Sequence, residues 1–548
     1  MSRWPRAGLW LWAALAAAVL LRLAGLQWGL PALFNADEPH VVNLAVSFGG
    51  GSLRPYAFKY PSLWPYLLAF CYGVYFLVWS ALSLRHSVAD FVGLYAWHPE
   101  GFYLIGRSLA AFFSLGGLYW LWRAEKDEDR IPWAALLLAF APVVNEAAHS
   151  CKPDMLMFFF ACAAWFYALR VFRNGARRDH LLCGAMLGLA ASSQFTALPA
   201  VVMLPLAWGL RPGRAPLRWL AEGAACAALA FFAASPYILL DWKNFMFWAG
   251  MRSPAALAVM GDWSRWDVAG QVLRNLRDFV DFNFGGMAAV VGLALLLRER
   301  RRLAVFLGLP VLLYALILSL NPDGGWPRYL LPILPGWALA ASECLEFCRR
   351  RRPVIGVLLV AAPILLAGVW RCALQDRDMR LPDTRQLSRA WVLQNVPQGA
   401  GIILDQANAS PDLAMAREQV EELARRTEAA GSPRAKLYKG MARSHPGGGY
   451  RIHRIPRSAR DLGTYHPGQV ELTQADSPMV DLRPGLKAAR SVKAGWVLVS
   501  SFGAWPGRSP ELEGFFQELS ARARLAAEFV PVPGELAGPH LRLYRLAD

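Results

Sequence analysis

The sequence predicts a polytopic α-helical membrane protein that carries a soluble α/β domain at its C-terminal side. Three observations lead there. Of 548 residues, 55% are hydrophobic and 23 are Trp, an excess over what soluble domains carry. The apolar residues come in blocks of about 17 to 25, the length that crosses a bilayer core. After Arg371 the blocks stop, and residues 373–548 hold no apolar run long enough to cross.

The first block follows a basic start, MSRWPR, and lacks a small-residue cleavage site, which predicts an uncleaved first span. Candidate spans cover 8–29, 101–122, 131–149, 154–172, 181–197, 198–210, 219–235, 284–297, 303–320, 328–346 and 354–371, about eleven in all. The stretch around Gln194 to Thr196 leaves room for a broken hairpin. Basic clusters at Arg170 to Arg178, Arg211 to Arg218, Arg298 to Arg302 and Arg349 to Arg352 fall in short loops between blocks. Short cytoplasmic loops collect Lys and Arg, so the formal net charge of +17 reads as topology and not as nucleic-acid binding. Counting outward from these clusters places Asp154 and Pro99 on the outer face and Arg123 to Arg130 inside.

Ser62 to Leu84 is long enough to span. If it crossed, Arg3 and Arg6 would face outward, against the charge rule. Pro61, Pro65 and its many Tyr and Trp suit an interfacial segment instead, within an outer loop covering 31–100. That reading keeps the N-terminus cytoplasmic and puts Asp37 beside Asp154 on the outer face. The membrane domain is then 1–372, and 373–548 is an α/β domain on the outer face, which the resemblance given below makes periplasmic. In the latter, Asp383 or Thr384 opens a helix with Leu387, Trp391 and Val392 on one face. GIILDQ, WVLVSS and HLRLYRL read as strands, and PDLAMAREQVEELARRTEA and SPELEGFFQELSARARL as amphipathic helices. Residues 437–468, rich in Gly, Pro, His and Arg, read as loop.

Candidate chemistry gathers on the outer face. Asp37 and Glu38 follow the first span in LFNADEPH, and Asp154 opens another in HSCKPDMLMFFF. Each carboxylate also has a plain structural alternative, capping the helix it precedes. Two acids in polar gaps on one membrane face form a more specific pattern than either alone. Lys59, Lys152 and Arg328 share that face. They can anchor at the interface or form a cationic seat for phosphate. His40, His86 and His149 lie nearby without metal-ligand spacing, so no metal is assigned and a divalent ion stays open. The eight cysteines include no CxxC pair, against a disulfide framework or zinc ribbon. This kit suits transfer of a sugar from a lipid phosphate. Phosphate leaves without a strong general acid, one carboxylate takes the proton of the attacking hydroxyl, and cations hold the phosphate.

Five motifs then carry a resemblance: Ala36-Asp37-Glu38, Lys59-Tyr60-Pro61, Gly106-Arg107-Ser108-Leu109, Lys152-Pro153-Asp154 and Arg328-Tyr329-Leu330-Leu331-Pro332. Over roughly 8–346 the chain resembles bacterial members of the dolichyl-phosphate-mannose–protein mannosyltransferase superfamily, GT-C fold glycosyltransferases to which the lipid A aminoarabinose transferase is related. The resemblance implies a polyprenyl-phosphate-sugar donor, an acceptor hydroxyl on protein, lipid or polysaccharide, and a place in the inner membrane. It makes Asp37 and Asp154 the acids of the first and second outer loops and Lys59 a donor-phosphate ligand. Lys152 and Arg328 would join Lys59, with Glu38, His40, Tyr60 and Tyr329 toward the acceptor or in support. Phe58 stands where the aminoarabinose enzyme has a glutamate. The competing class is a transporter or flippase of lipid-linked glycans, against which stand helix centres poor in acids and the lack of an internal repeat.

Overall fold

The computed structural model describes residues 7–84, 87–126, 130–213, 215–251, 269–270, 272–274, 277, 285–319, 327–432, 434–456, 478–507 and 509–547. Arg3, Arg6, His86 and residues 457–468 of the expected loop lie outside the described residues. The chain forms two compact units. One holds Met1–Leu26, Leu53–Ala69 and Ile105–Asp376, and the other Gln27–Ser52, Phe70–Leu104 and Arg377–Asp548. Helices α1 (Ala7–Leu23), α2 (Glu38–Ser47), α3 (Leu63–Ser83), α4 (Val88–Trp97), α5 (Glu100–Lys126), α6 (Trp133–Ala139), α7 (Pro142–Ala148), α8 (Asp154–Arg173), α9 (Arg177–Ser193), α10 (Met203–Leu210) and α11 (Leu217–Ala234) follow in chain order.

Among the described residues six helices are long and apolar enough to cross a membrane: Leu63–Ser83, Glu100–Lys126, Asp154–Arg173, Leu217–Ala234, Arg301–Ser319 and Pro353–Asp378. Leu63–Ser83 is not one of the eleven expected spans, and several expected apolar blocks fall outside these six because they are broken or short. Block 131–149 splits into α6 and α7 at Ala141, which is extended (φ −84°, ψ 121°) before Pro142. Block 181–210 breaks at extended Gln194, passes through a 3₁₀ turn containing Pro199 and resumes as α10. The first span stops at Leu23, and the block at 284–297 is a 15-residue helix, Gly285–Glu299. The last helix, Pro353–Asp378, runs on past the expected boundary at residue 372.

In the first unit α5 and α8 run side by side in the same direction. Phe113 meets Phe159 (ring centroids 5.5 Å apart) and Trp120 meets Phe166 (5.4 Å). Helix α9 returns antiparallel to α8, and Arg170 bridges to Asp179 at 2.9 Å across the turn. Helix α11 then lies parallel to α9, with Arg177 paired to Glu222 at 2.6 Å near their starts. At the opposite end of this pair Ser192 and Ser235 share a hydrogen bond of 2.7 Å, and the Ser62 N–H donates to Ser235 at 2.9 Å. Helix α3 therefore begins at the end of the bundle where α11 finishes. Trp64 faces Phe113 and Leu68 lies beside Gly106, so α3 runs opposite to α5.

The second unit is built on a five-stranded sheet: β1 (Gly401–Leu404), β2 (Arg451–Arg454), β3 (Ala494–Ser500), β4 (Ala523–Phe529) and β5 (Leu541–Leu546), in the order β2-β1-β3-β5-β4. Strands β2, β1 and β3 are parallel, and β5 is antiparallel to both β3 and β4. One face buries Ile403, Val497, Phe515 and Leu519, the other Val392, Ile402, Leu498 and Leu543. Two sequence expectations are corrected here. Within 437–454 the expected loop is confined to 444–450, between a helix, Ala435–Arg443, and β2. The helix expected through Leu525 ends at Arg522, and the chain continues as β4. The capping of Thr384–Asn395 by Asp383 is present, but Leu387 is 44% exposed while Ser388 is fully buried. Segments 27–52 and 70–104 belong to this unit. In it Gly93 of α4 packs on Ser444, Gly440 on Val92, and the Trp97 indole N–H donates to the Met441 carbonyl.

Candidate active site

Asp37 stands at the N-cap of α2 in helical conformation (φ −91°, ψ −26°), and its carboxylate makes no capping bond. The capping alternative is thus not what its side chain does. Its backbone N–H donates to Asn35 Oδ1 at 3.0 Å, a short Asx turn that fixes the entry to the helix. Pro39 lies in the first turn, where a missing N–H costs nothing. Asp37 is half-buried, Glu38 fully buried and His40 exposed. All three belong to the second unit.

Lys59, Tyr60, Lys152, Asp154, Arg328 and Tyr329 belong to the first unit. Lys152 and Asp154 are 5% and 2% exposed. Neither side chain forms an ion pair or hydrogen bond among the described residues, and Asp154 Oδ1 is enclosed without a partner. Burying a charge unpaired costs several kcal/mol. An enclosed polar atom left unmatched therefore calls for a reason beyond packing. Pro153 takes the N-cap position, and Asp154 opens α8 without a capping bond.

Lys59 and Arg328 are half-buried and share a habit. Each cation leans over the ring of the tyrosine that follows it, at 5.9 Å for Lys59 over Tyr60 and 5.4 Å for Arg328 over Tyr329. The Lys59 segment is held by Phe58, which is buried edge-on against Phe245 at 5.7 Å. The Arg328 turn is held by the Tyr314 hydroxyl, 2.7 Å from the Tyr329 carbonyl and 2.8 Å from that of Thr196. Among the described residues no three His, Cys, Asp or Glu side chains gather as a metal site.

Residues 100–239 match the family described as dolichyl-phosphate-mannose-protein mannosyltransferase. The fold is similar to that of ArnT from Cupriavidus metallidurans. To the form bound to undecaprenyl phosphate the identity is 14%, with 97% of this chain and 98% of that one covered and a TM-score of 0.53. To the apo form the identity is 13%, with 98% of each chain covered and a TM-score of 0.56. The chain has the GT-C fold that ArnT adopts. The archaeal oligosaccharyltransferase AglB from Archaeoglobus fulgidus also matches, at 12% identity over 91% of this chain and 70% of that one, with a TM-score of 0.40. A comparison with curated proteins yields no match.

The GT-C helical unit also buries a polar cluster that sequence reasoning did not assign. Arg22 is fully buried, with Nε on Ser114 Oγ at 3.1 Å and its other nitrogens on the Ala18 and Leu138 carbonyls. His149 has both ring nitrogens 2.8 Å from carbonyl oxygens, those of Asn145 and Ala24. Asn145 donates to Asp376 at 2.8 Å, and Asp376 lies 3.8 Å from His149. The signal was available: an ionisable residue inside an apolar run, as Arg22 is, marks a buried partner. In the sheet unit, Asp405 at the carboxyl end of β1 is pushed up to about 6 by burial. Bonds from the Gln406 and Ala504 N–H groups, each 2.7 Å, oppose that shift.

Proposed function

We propose that this chain is an integral membrane glycosyltransferase that moves a sugar from a polyprenyl phosphate to an acceptor hydroxyl on the periplasmic face of the inner membrane. The observation that carries the proposal is the likeness, along essentially the whole of both chains, to ArnT bound to undecaprenyl phosphate. In the reaction the acceptor oxygen attacks the anomeric carbon, and the bond from that carbon to the phosphate oxygen breaks. The hydroxyl proton passes to Asp37, and the lipid phosphate departs with the bonding electrons. Lys59, Lys152 and Arg328 hold that phosphate by charge-assisted hydrogen bonds. Asp154, enclosed beside Lys152, is the second acid of the site. Glu38, His40, Tyr60 and Tyr329 serve the acceptor or support the loops.

The topology fits this reading. Helix α3 starts at the bundle end that carries Ser192 and Ser235, and it runs against α5, away from the end that carries Arg170 and Arg177. Positive-inside orientation then keeps α3 on the outer side as an interfacial helix. The test is sugar transfer or release from a panel of radiolabelled polyprenyl-phosphate sugars in proteoliposomes. Wild type should turn over one donor, and Asp37→Asn should lose about 10²–10⁴-fold in rate, the range a positioned base contributes. A folded Asp37→Asn protein with wild-type rate refutes the assignment of the base.

A further inference from the structure

Inside the second unit a continuous set of contacts links the sheet to the loop that presents Asp37. Phe34, three residues before Asp37, is 5% exposed. The Arg385 guanidinium carbon sits 3.4 Å from its ring centroid, and Trp28 meets the ring edge-on at 6.1 Å. Gly29 presses on the same residue: a Cβ there would lie 2.8 Å from the Phe34 Cβ, Cγ and Cδ2 atoms. Leu33 has φ 54°, a left-handed conformation that a branched L residue rarely adopts. Such strain persists only where surrounding contacts over-determine it. Downstream, Asn35 ties the Asp37 N–H at 3.0 Å.

Arg385 is itself fixed. It is 4% exposed, and its Nε and one terminal nitrogen bond the two oxygens of Asp383 at 2.8 and 2.7 Å. The other terminal nitrogen donates to the Asn408 carbonyl at 2.5 Å. With its edge committed, what the guanidinium still offers is its flat face, and a flat cation against an aromatic ring is directional. A greasy pocket would have buried Phe34 equally well without setting its angle.

We propose that Arg385 is a positioning residue: through its stack on Phe34 the sheet unit sets the loop Leu33–Asp37, and with it the direction of the Asp37 carboxylate. The inference rests on the reading of Asp37 as general base. It assigns the C-terminal sheet a part in the transfer step that does not require it to touch either substrate.

The experiment uses the full chain in proteoliposomes. Phe34→Leu removes the ring while leaving the Asp383–Arg385 pair intact, Phe34→Tyr keeps the ring, and Arg385→Lys keeps the charge without the fork. Phe34→Leu should lower kcat about 10- to 100-fold, the effect of misplacing a reacting group by about 1 Å, with donor KM within about twofold. Phe34→Tyr should run near wild type, and Arg385→Lys should fall between. Hydrogen exchange of the amides at 34–37 should quicken about tenfold in Phe34→Leu, with β1 and β3 unchanged. Unchanged exchange at 34–37, loss of protection across the whole sheet, or wild-type kcat in Phe34→Leu overturns the proposal. Asp37→Asn, run alongside, separates the two readings. Wild-type turnover there overturns the base and with it the catalytic half of this inference, while the exchange rates at 34–37 still decide whether Arg385 and Phe34 hold the loop.

Discussion

Replacing Gly184 by Ala should loosen the tightest helix pair of the membrane unit. A Cβ on Gly184 would lie 1.8 Å from the Gly223 carbonyl oxygen and 2.7 Å from its carbon, whereas real Cβ contacts essentially never fall below 3.0 Å. The obstacle is backbone, so no rotamer can yield, and α9 and α11 must part by about 1.2 Å to clear it. One turn on, Gly188 stands equally close to Ala227, its Cβ position 2.1 Å from the carbonyl oxygen. Overpacking of this kind costs about 1–3 kcal/mol, and Ala regains about 1 kcal/mol over Gly in helix propensity. The expected net loss is up to about 2 kcal/mol. Separation would also pull on the Ser192–Ser235–Ser62 contacts at the far end of the pair. Thermal unfolding of the detergent-purified chain reads the effect as a fall of several degrees in Tm. Gly209→Ala is the control, because that exposed glycine in α10 has nothing within 4 Å of its Cβ position and should be neutral or slightly stabilised. A Gly184→Ala protein as stable as Gly209→Ala refutes the close-contact argument.

Further outcomes concern the sheet unit. Asp405, with its folded pKa raised to about 6, contributes stability that is full below its unfolded value near 4 and is lost as pH rises through about 6. Asp405→Asn should therefore flatten the pH dependence of unfolding between pH 4 and 7 by about 3 kcal/mol, as followed by urea titration at each pH. Lys493 has φ 54° just beyond the helix Leu486–Ser491, where glycine is the unstrained residue. Lys493→Gly should raise the sheet unit's stability by up to about 1 kcal/mol in the same titration. Asp383→Ala should lower it by about 3–5 kcal/mol, well beyond the roughly 1 kcal/mol of a lost helix cap, because Arg385 is left buried without its counter-charge.

Where local pattern decides, the sequence was readable. Asp383 before an amphipathic run announced a capped helix, and GIIL and WVLVS announced buried strands. Local pattern misled where a partner distant in sequence decides. Leu387 looked like a core residue, yet Thr384, Arg385 and Ser388 are buried in its place because their polar atoms find partners in Pro539, Asp383, Asn408 and the helix backbone. Strand β4 follows a helix without a turn residue, and its mixed exposure gives no clean alternation. The membership of 27–52 and 70–104 in the sheet unit depends on contacts such as Phe34 on Arg385 and Gly93 on Ser444, across more than 300 residues. No window on the sequence holds both members of such a pair.

The site residues differ in how far burial supports them, as other charges in the same chain make plain. In the first turn of α9, Asp179 is 2% exposed and sits 2.9 Å from Arg170 at the far end of α8. In the sheet unit Asp383 is 3% exposed and gripped by Arg385. Those are buried acids in structural roles, and each has its cation. Asp154 is as deeply buried, with Lys152 only two residues away, and the two form no pair. Folding stability alone gives no reason to leave two buried residues of opposite charge unpaired, since pairing them or replacing them with apolar groups would relieve the penalty. The proposed site, which must hold a departing phosphate next to its second acid, does give a reason. It needs its cation and its acid desolvated before the ligand arrives and not already satisfied by each other. Both residues fall within 100–239, the stretch that matches the mannosyltransferase family.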